Sequence, residues 1–481
     1  FATGYLGNPA SYYGHLLFKL NSFKKGVLDL ENTAINYGAR IPPDENMILY
    51  ILKGIFGLYD STFTAQSYYY HLHEYSDSEL RDLWEYELEL PAEATELLVA
   101  HTWEMLGVTH DYYFFNRNCA YRMAELIELV TDQTFTKDYL PWEAPQSVLQ
   151  RLAEAKNNSR PIIKEVTYIP SKQSKLYSKY ENLSGVEKSE MLKVIMDLQH
   201  LNSHGFSKLS SGSVIKILDS LTDYYGFISP NTRFHDSNEY RAIIAKRLML
   251  PIHNINHQVD SNNTPHIGHS PSYMSVSMTK INKLNELAKL RIRPAYYDDL
   301  DTSYGHIKGA ALSMMDLSVY GKETGLALDY LDLLSLRNMN SYSTGLPGDN
   351  PLAWNFKVSL EGQSYDCSSC INYVVRGGKG ITKWIVQDNI YLSSLVQMGF
   401  EADDISDEGL FVGAEFGINI RMTDDIKAVG NILYTNFVNT DVEAIESDLW
   451  LRYEISTEMD MRFNFNNKNH DEISISVGRY W

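Results

Sequence analysis

From about residue 270 to the end of the chain, hydrophobicity repeats with a period of two, and few folds accept that pattern over such a length. Leu352, Trp354, Phe356, Val358 and Leu360 alternate with Ala353, Asn355, Lys357, Ser359 and Glu361. Leu410, Val412, Ala414, Phe416, Ile418, Ile420 and Met422 alternate in the same way with residues that include Gly413, Glu415, Gly417, Asn419 and Arg421. A strand sends successive side chains to opposite faces, so each segment has one apolar face and one polar face. The second run is thirteen residues long. That exceeds the roughly five or six of an average strand and suits a tilted membrane-crossing strand of about 9–11. Leu449–Ile455, Met461–Phe465 and the series Ile473, Ile475, Val477 continue the pattern. About twelve such segments follow one another, separated by turns such as Pro347-Gly348-Asp349-Asn350-Pro351 and Asn466-Asn467-Lys468-Asn469. A soluble sandwich or lipocalin-like barrel with its apolar face inward would also accept alternation. Strand length, the Arg, Glu and Asn side chains on the opposite face, and the aromatic Trp481 favour an antiparallel outer-membrane barrel of about 12 strands.

Composition agrees with a membrane barrel more readily than it first suggests. The 481 residues carry a formal net charge of −19, with no Lys/Arg block, which argues against a nucleic-acid partner because phosphate contacts need a basic footprint. No apolar run approaches the eighteen or so residues of a transmembrane helix, a test to which barrel strands are blind. The sequence opens Phe1-Ala2-Thr3-Gly4 without a charged leader, so a barrel protein is expected to have lost an export signal. The expected location is a Gram-negative outer membrane, reached through the barrel assembly machinery, with the N-terminal part in the periplasm. Oxidising surroundings would allow Cys367 and Cys370, in Cys-Ser-Ser-Cys, to form a disulfide at a turn; two free thiols are the alternative. Too few ligands lie nearby in the sequence for a metal site.

The chain divides by texture into three regions. Residues 1–135 mix short strand-like runs with one strong helix and many tyrosines; residues 136–268 read as helical and polar, as in Gly185–Met196; the barrel occupies 269–481. Asp260–Pro265 reads as a linker. Chemistry, if present, lies in the first region. Asn118 is a good helix cap, and Met123, Leu126, Ile127 and Val130 mark one face of the helix that follows. Cys119 then falls in the first turn, where free N–H groups and the helix dipole favour a thiolate. The same pattern also suits a buried structural cysteine. Partner bases include His15, His71, His73, His101 and His110, and spacing alone does not choose among them.

A histidine on an early strand, followed some hundred residues later by Asn-Cys opening a helix, resembles the permuted papain-like thiol enzymes of the NlpC and lecithin–retinol acyltransferase type. Residues 1–135 more closely resemble the Lnb N-terminal periplasmic domain. The matching blocks are Tyr13-Gly14-His15, Asn36-Tyr37-Gly38, Lys53-Gly54-Ile55-Phe56-Gly57, Arg81-Asp82-Leu83-Trp84-Glu85-Tyr86 and Asn118-Cys119-Ala120-Tyr121. The resemblance implies an α+β papain-like domain without a cofactor. It also implies a thiol acyltransferase that moves a fatty acyl chain from a phospholipid to the amine of a lipoprotein. Cys119 would be the nucleophile and His15 the general base, with Asn36 orienting the imidazole by analogy with Cys–His–Asn arrangements. Asn118 and the Cys119 N–H, with a Tyr12 or Tyr13 hydroxyl, would hold the oxyanion. Arg81 would face a lipid phosphate or make a structural ion pair, in a segment that also reads as an amphipathic helix start. Lys53–Gly57 would be a turn beside the cleft, and Tyr68–Tyr70 would meet a membrane or pack the domain. Expected partners are phospholipids and other outer-membrane lipids, and lipoprotein acceptors. A cell-wall peptidase or amidase of NlpC type, or a non-enzymatic barrel, are the alternatives.

Overall fold

The computed structural model describes residues 1–4, 14–22, 28–42, 44–137, 140–157, 159–229, 237–251, 264–282, 286–302, 304–322, 325–339, 344–349, 352–365, 367–386, 389–402, 409–438, 442–468 and 470–481. Two compact units emerge. The first, Phe1–Thr264 with Ser343–Asn350, holds the regions read above as 1–135 and 136–268 almost entirely. Their union has a packing cause. Val148, Leu149, Leu152 and Ile162, from beyond residue 135, share one apolar core with Ala120, Met123, Ala124 and Ile127, so the early region does not bury its core alone.

The first unit begins with an antiparallel sheet in the order β1-β2-β3-β5: β1 (Phe18–Leu20), β2 (Thr33–Ala39), β3 (Tyr59–Ser67) and β5 (His110–Tyr112). Between these lie α1 (Met47–Phe56), α2 (Tyr68–Leu72), β4 (Leu83–Leu88) and α3 (Ala92–Met105). Then follow α4 (Cys119–Glu128), α5 (Pro145–Glu154), a small hairpin of β6 (Lys156–Asn157) and β7 (Arg160–Pro161), and β8 (Ile163–Ile169). The Arg81–Tyr86 block is not a helix start. Leu83–Leu88 pairs antiparallel with Ile163–Ile169 as a two-stranded sheet, a partner too distant in sequence for the local pattern to reveal. The helical region supplies α6 (Lys172–Glu181), α7 (Gly185–Met196), α8 (His204–Ser207), α9 (Ser211–Ile228) and α10 (Asn238–Leu248). Of the linker Asp260–Pro265, residues 260–263 lie outside the described residues.

The second unit is the barrel. Its strands are β9 (Tyr273–Ile281), β10 (Leu287–Arg293) continued by β11 (Ala295–Tyr297), β12 (Ala310–Lys322), β13 (Gly325–Asn338), β14 (Leu352–Ser364), β15 (Cys367–Val386) and β16 (Ile390–Ala402). It is completed by β17 (Leu410–Arg421), β18 (Ile426–Phe437), β19 (Glu443–Ser456), β20 (Met459–Asn466) and β21 (Glu472–Tyr480). Each pairs antiparallel with the next. β21 returns to β9 from Tyr480↔Tyr273 to Glu472↔Ile281, β9 pairs with β10, and β10 pairs with β12. Counting β10 and β11 as one interrupted strand, the ring closes with twelve strands and no free edge. Its outer face is apolar: Val396 is 72% exposed and Met398 65%, whereas Gln397 between them is fully buried. That inversion is the signature of a wall facing lipid. The lumen is filled with paired charges, including Arg337 with Glu415 at 2.8 Å and Lys357 with Asp332 at 3.0 Å. Cys367 and Cys370 are joined as a disulfide at the start of β15, with Cα atoms 5.4 Å apart.

Candidate active site

The site is built where α4 starts against the sheet. Asn118 caps that helix as its residue type dictates, its Oδ1 accepting from the N–H groups of Ala120 at 3.0 Å and Tyr121 at 3.2 Å. Its Nδ2 donates to the carbonyls of Glu143 at 2.7 Å and Phe114 at 3.2 Å. Those bonds fix the turn carrying Cys119 from both sides. The approach loop is pinned as well: Phe114 N–H donates to the Gly54 carbonyl at 2.8 Å, and a Cβ on Gly54 would clash with the Phe114 ring. Lys53–Gly57 is thus the C-terminal end of α1 and the turn beyond it, packed under the loop that leads to Cys119.

His15 reaches the site from the strip preceding β1. Ala2 and His15 exchange backbone hydrogen bonds of 2.8 and 2.9 Å. Gly14 permits that approach, because its φ of +80° and the Phe1 ring, 2.5 Å from where a Cβ would sit, exclude other side chains. Asn36 on β2 puts its Oδ1 2.5 Å from His15 Nε2. An amide oxygen only accepts, so Nε2 carries the proton and Nδ1 is left as the basic atom. The ring also packs against Tyr75, with centroids 5.8 Å apart.

Cys119 is 3% exposed and, among the described residues, is the free cysteine. Burial pushes its thiol up from the ordinary value, while the N–H groups of Leu16 and Ala120, hydrogen-bonded to the sulfur, and the Arg81 charge pull it down. The residue following His15 therefore touches Sγ through its backbone. Burial lowers His15 to about 3, reinforced by Arg81 and opposed by the bond to Asn36. At neutral pH the resting pair is thiol and imidazole, not thiolate and imidazolium.

Arg81 is buried. Its Nε donates to the Thr3 carbonyl at 2.6 Å, Nη1 to Glu79 at 2.9 Å and Nη2 to the Ala2 carbonyl at 3.3 Å, and the guanidinium lies 4.8 Å over the Tyr75 ring. Tyr12 and Tyr13 lie outside the described residues. Another tyrosine stands at Cys119 instead. The Tyr112 hydroxyl, at the end of β5, accepts from the Cys119 N–H, and burial with the neighbouring sulfur raises its pKa well above the usual value. Sequence reading passed over it within the run Tyr112–Phe115; its position seven residues before Cys119 on the preceding strand is the signal available. The other histidines have other surroundings: His73 pairs with Asp77 at 3.0 Å, His101 lies 3.7 Å from Glu104, His71 is buried against Tyr75, and His110 sits on β5 near Tyr37. Tyr68 is buried, whereas Tyr69 and Tyr70 are exposed. Among the described residues no group of three His, Cys, Asp or Glu side chains could hold a metal ion.

Cys119 thus follows the Asn118 cap of α4, and His15, before β1, is hydrogen-bonded to Asn36 on β2. Residues 1–155 match the Lnb N-terminal periplasmic domain family. Residues 262–480 match a second family model, described as a domain of unknown function (DUF7840). No curated protein matches the chain. Among solved structures the chain is similar to the KdgM porin in complex with disordered oligogalacturonate, at 11% identity over 44% of this chain and 99% of that one, with a TM-score of 0.28. It is also similar to the NanC porin, at 8% identity over 43% and 99%, with a TM-score of 0.28. The outer membrane channel COG4313 from Pseudomonas putida F1 is similar at 7% identity over 48% and 100%, with a TM-score of 0.28. The closed register and exposed apolar face establish the barrel independently of these likenesses. The protein is an outer-membrane protein whose Lnb domain is periplasmic.

Proposed function

We propose that the Lnb domain is a cysteine-dependent acyltransferase that moves an acyl chain from a phospholipid ester to an amine, such as the N-terminus of a lipoprotein. The observations that support the proposal are the Asn36–His15 hydrogen bond at 2.5 Å and a buried Cys119 whose sulfur meets the N–H of Leu16, the residue that follows His15. Because the resting pair is neutral, the Cys119 proton passes to His15 Nδ1 as Sγ attacks the ester carbonyl. The tetrahedral oxyanion is met by the Cys119 N–H and the Tyr112 hydroxyl. Collapse breaks the ester C–O bond. The departing lysophospholipid oxygen takes the proton from His15, leaving an acyl thioester on Cys119. An amine then attacks the thioester while His15 accepts its proton, and the sulfur leaves and is reprotonated. Asn36 keeps the imidazole in the tautomer that both halves require.

The test uses the full chain in vesicles containing a phospholipid with a labelled acyl chain and a diacylated peptide acceptor. Cys119→Ala and His15→Ala are expected to assemble normally yet lose label transfer by about 10⁴-fold or more. Retained transfer in assembled Cys119→Ala sinks the mechanism. Cleavage of muropeptides that depends on Cys119, without lipid transfer, would move the assignment to a cell-wall peptidase.

A further inference from the structure

The barrel lumen is divided rather than open, and the divider is one short segment. β10 ends at Arg293 and β11 at Tyr297, after which the chain turns inward instead of following the rim. Asp298 then pairs with Arg291 at 3.2 Å, Arg293 at 2.7 Å and Arg462 at 2.7 Å. Asp301 pairs with Arg293 at 2.6 Å and Arg462 at 2.8 Å, and accepts from the Tyr480 hydroxyl at 2.6 Å. These contacts lie on β10, β20 and β21. The same segment also touches the far wall. Asp299 pairs with Arg337 on β13 at 3.3 Å, Asn419 on β17 donates to the Asp299 carbonyl at 3.5 Å, and Lys427 on β18 donates to the Asp301 carbonyl at 3.2 Å. β17 stands opposite β10, six strands away by either route round the ring. The segment spans the lumen.

Two cavities lie on either side of it. One, of about 440 Å³, is lined by side chains such as Lys289, Lys357 and Glu361; the other, of about 50 Å³, by Trp384, Tyr391 and Arg421. Asp298 and Asp299 line both. The layer around the segment has little room for water, since Arg293, Arg452, Arg462, Asp460 and Tyr480 are almost completely buried.

We propose that Tyr297–Asp301 is a septum closing the barrel to ions and small solutes, so that the barrel anchors the chain and carries no open channel. A charged segment paired at both walls is held by many ion pairs at once, and no single thermal rearrangement releases it. The large cavity is consequently a blind vestibule, open on one side of the septum only. Release of the septum would join the two cavities into a continuous polar path.

The experiment is potassium efflux and glucose release from vesicles loaded with both and reconstituted with the full-length protein, its folded state checked by heat-modifiable electrophoretic migration. The native protein is expected to leak no faster than protein-free vesicles. Asp298→Asn/Asp301→Asn, which removes the ion pairs to β10 and β20, and Asp299→Ala, which removes the Arg337 ion pair at the far wall while leaving the backbone contacts of Asn419 and Lys427, are each expected to raise potassium efflux, the double variant by about tenfold or more. Native protein that conducts overturns the proposal outright. So does a pair of folded variants as tight as the native barrel. If the double variant does not fold, Asp299→Ala together with the native leak rate decides.

Discussion

The two units bury polar groups by opposite means. In the Lnb domain the core is apolar, and the chemistry at its edge is kept uncharged: Cys119 and His15 rest as thiol and imidazole because burial penalises their ions. In the barrel the apolar residues are outside and the interior is ionic, with Asp460 fully buried yet bonded to Arg452 at 3.0 Å, Arg462 at 2.8 Å, Tyr273 at 2.9 Å and Tyr480 at 2.8 Å. A buried group that must react is made neutral, because neutrality leaves it free to exchange a proton. A buried group that holds a wall in place is charged and set against opposite charges.

The comparison breaks most readily at Asp460. Asp460→Ala leaves two buried arginines short of an anion and is expected to destabilise the barrel by about 3–5 kcal/mol, read from heat-modifiable migration or denaturant titration; an unchanged midpoint would mean that the ionic layer is not structural. Next comes the outer face, where Phe416→Arg places a charge in mid-strand against lipid at a cost of about 2–4 kcal/mol. The same substitution measured in detergent and in bilayers sharpens the point, since the penalty should grow with the thickness of hydrocarbon. The smallest effect at neutral pH is in the Lnb domain. A histidine whose pKa falls from 6.5 unfolded to about 3 folded contributes stability present above 6.5 and lost as the pH drops toward 3, because the unfolded chain binds the proton first. Native chain should therefore lose stability across that window, and His15→Gln should lose less; parallel curves for the two would remove the neutral-imidazole account.

Much of this architecture was legible from periodicity, because a lipid-facing strand needs an apolar residue at every second position, and Leu410, Val412, Phe416 and Ile418 are indeed exposed. The start of α4 was equally legible, since Asn118 bonds the N–H groups within its own next three residues. What escaped depends on distance. Leu83–Leu88 is a strand only by virtue of Ile163–Ile169. Tyr112 meets Cys119 only because β5 ends beside α4. The acidic run Asp298, Asp299 and Asp301 has the look of a solvated turn until Arg462, more than 160 positions away, is brought to it.

The burial of Cys119 also governs what oxidants can do. The periplasm favours disulfides, and the two barrel cysteines have closed on each other. The remaining thiol, 3% exposed and mostly protonated, offers peroxide neither access nor the thiolate that reacts with it, so progress toward sulfenic and sulfinic acids is slow in the resting protein. If the proposed transfer takes place, sensitivity should appear during it, when the proton leaves sulfur. On the proposed mechanism, the thiol would thus age by working rather than by waiting.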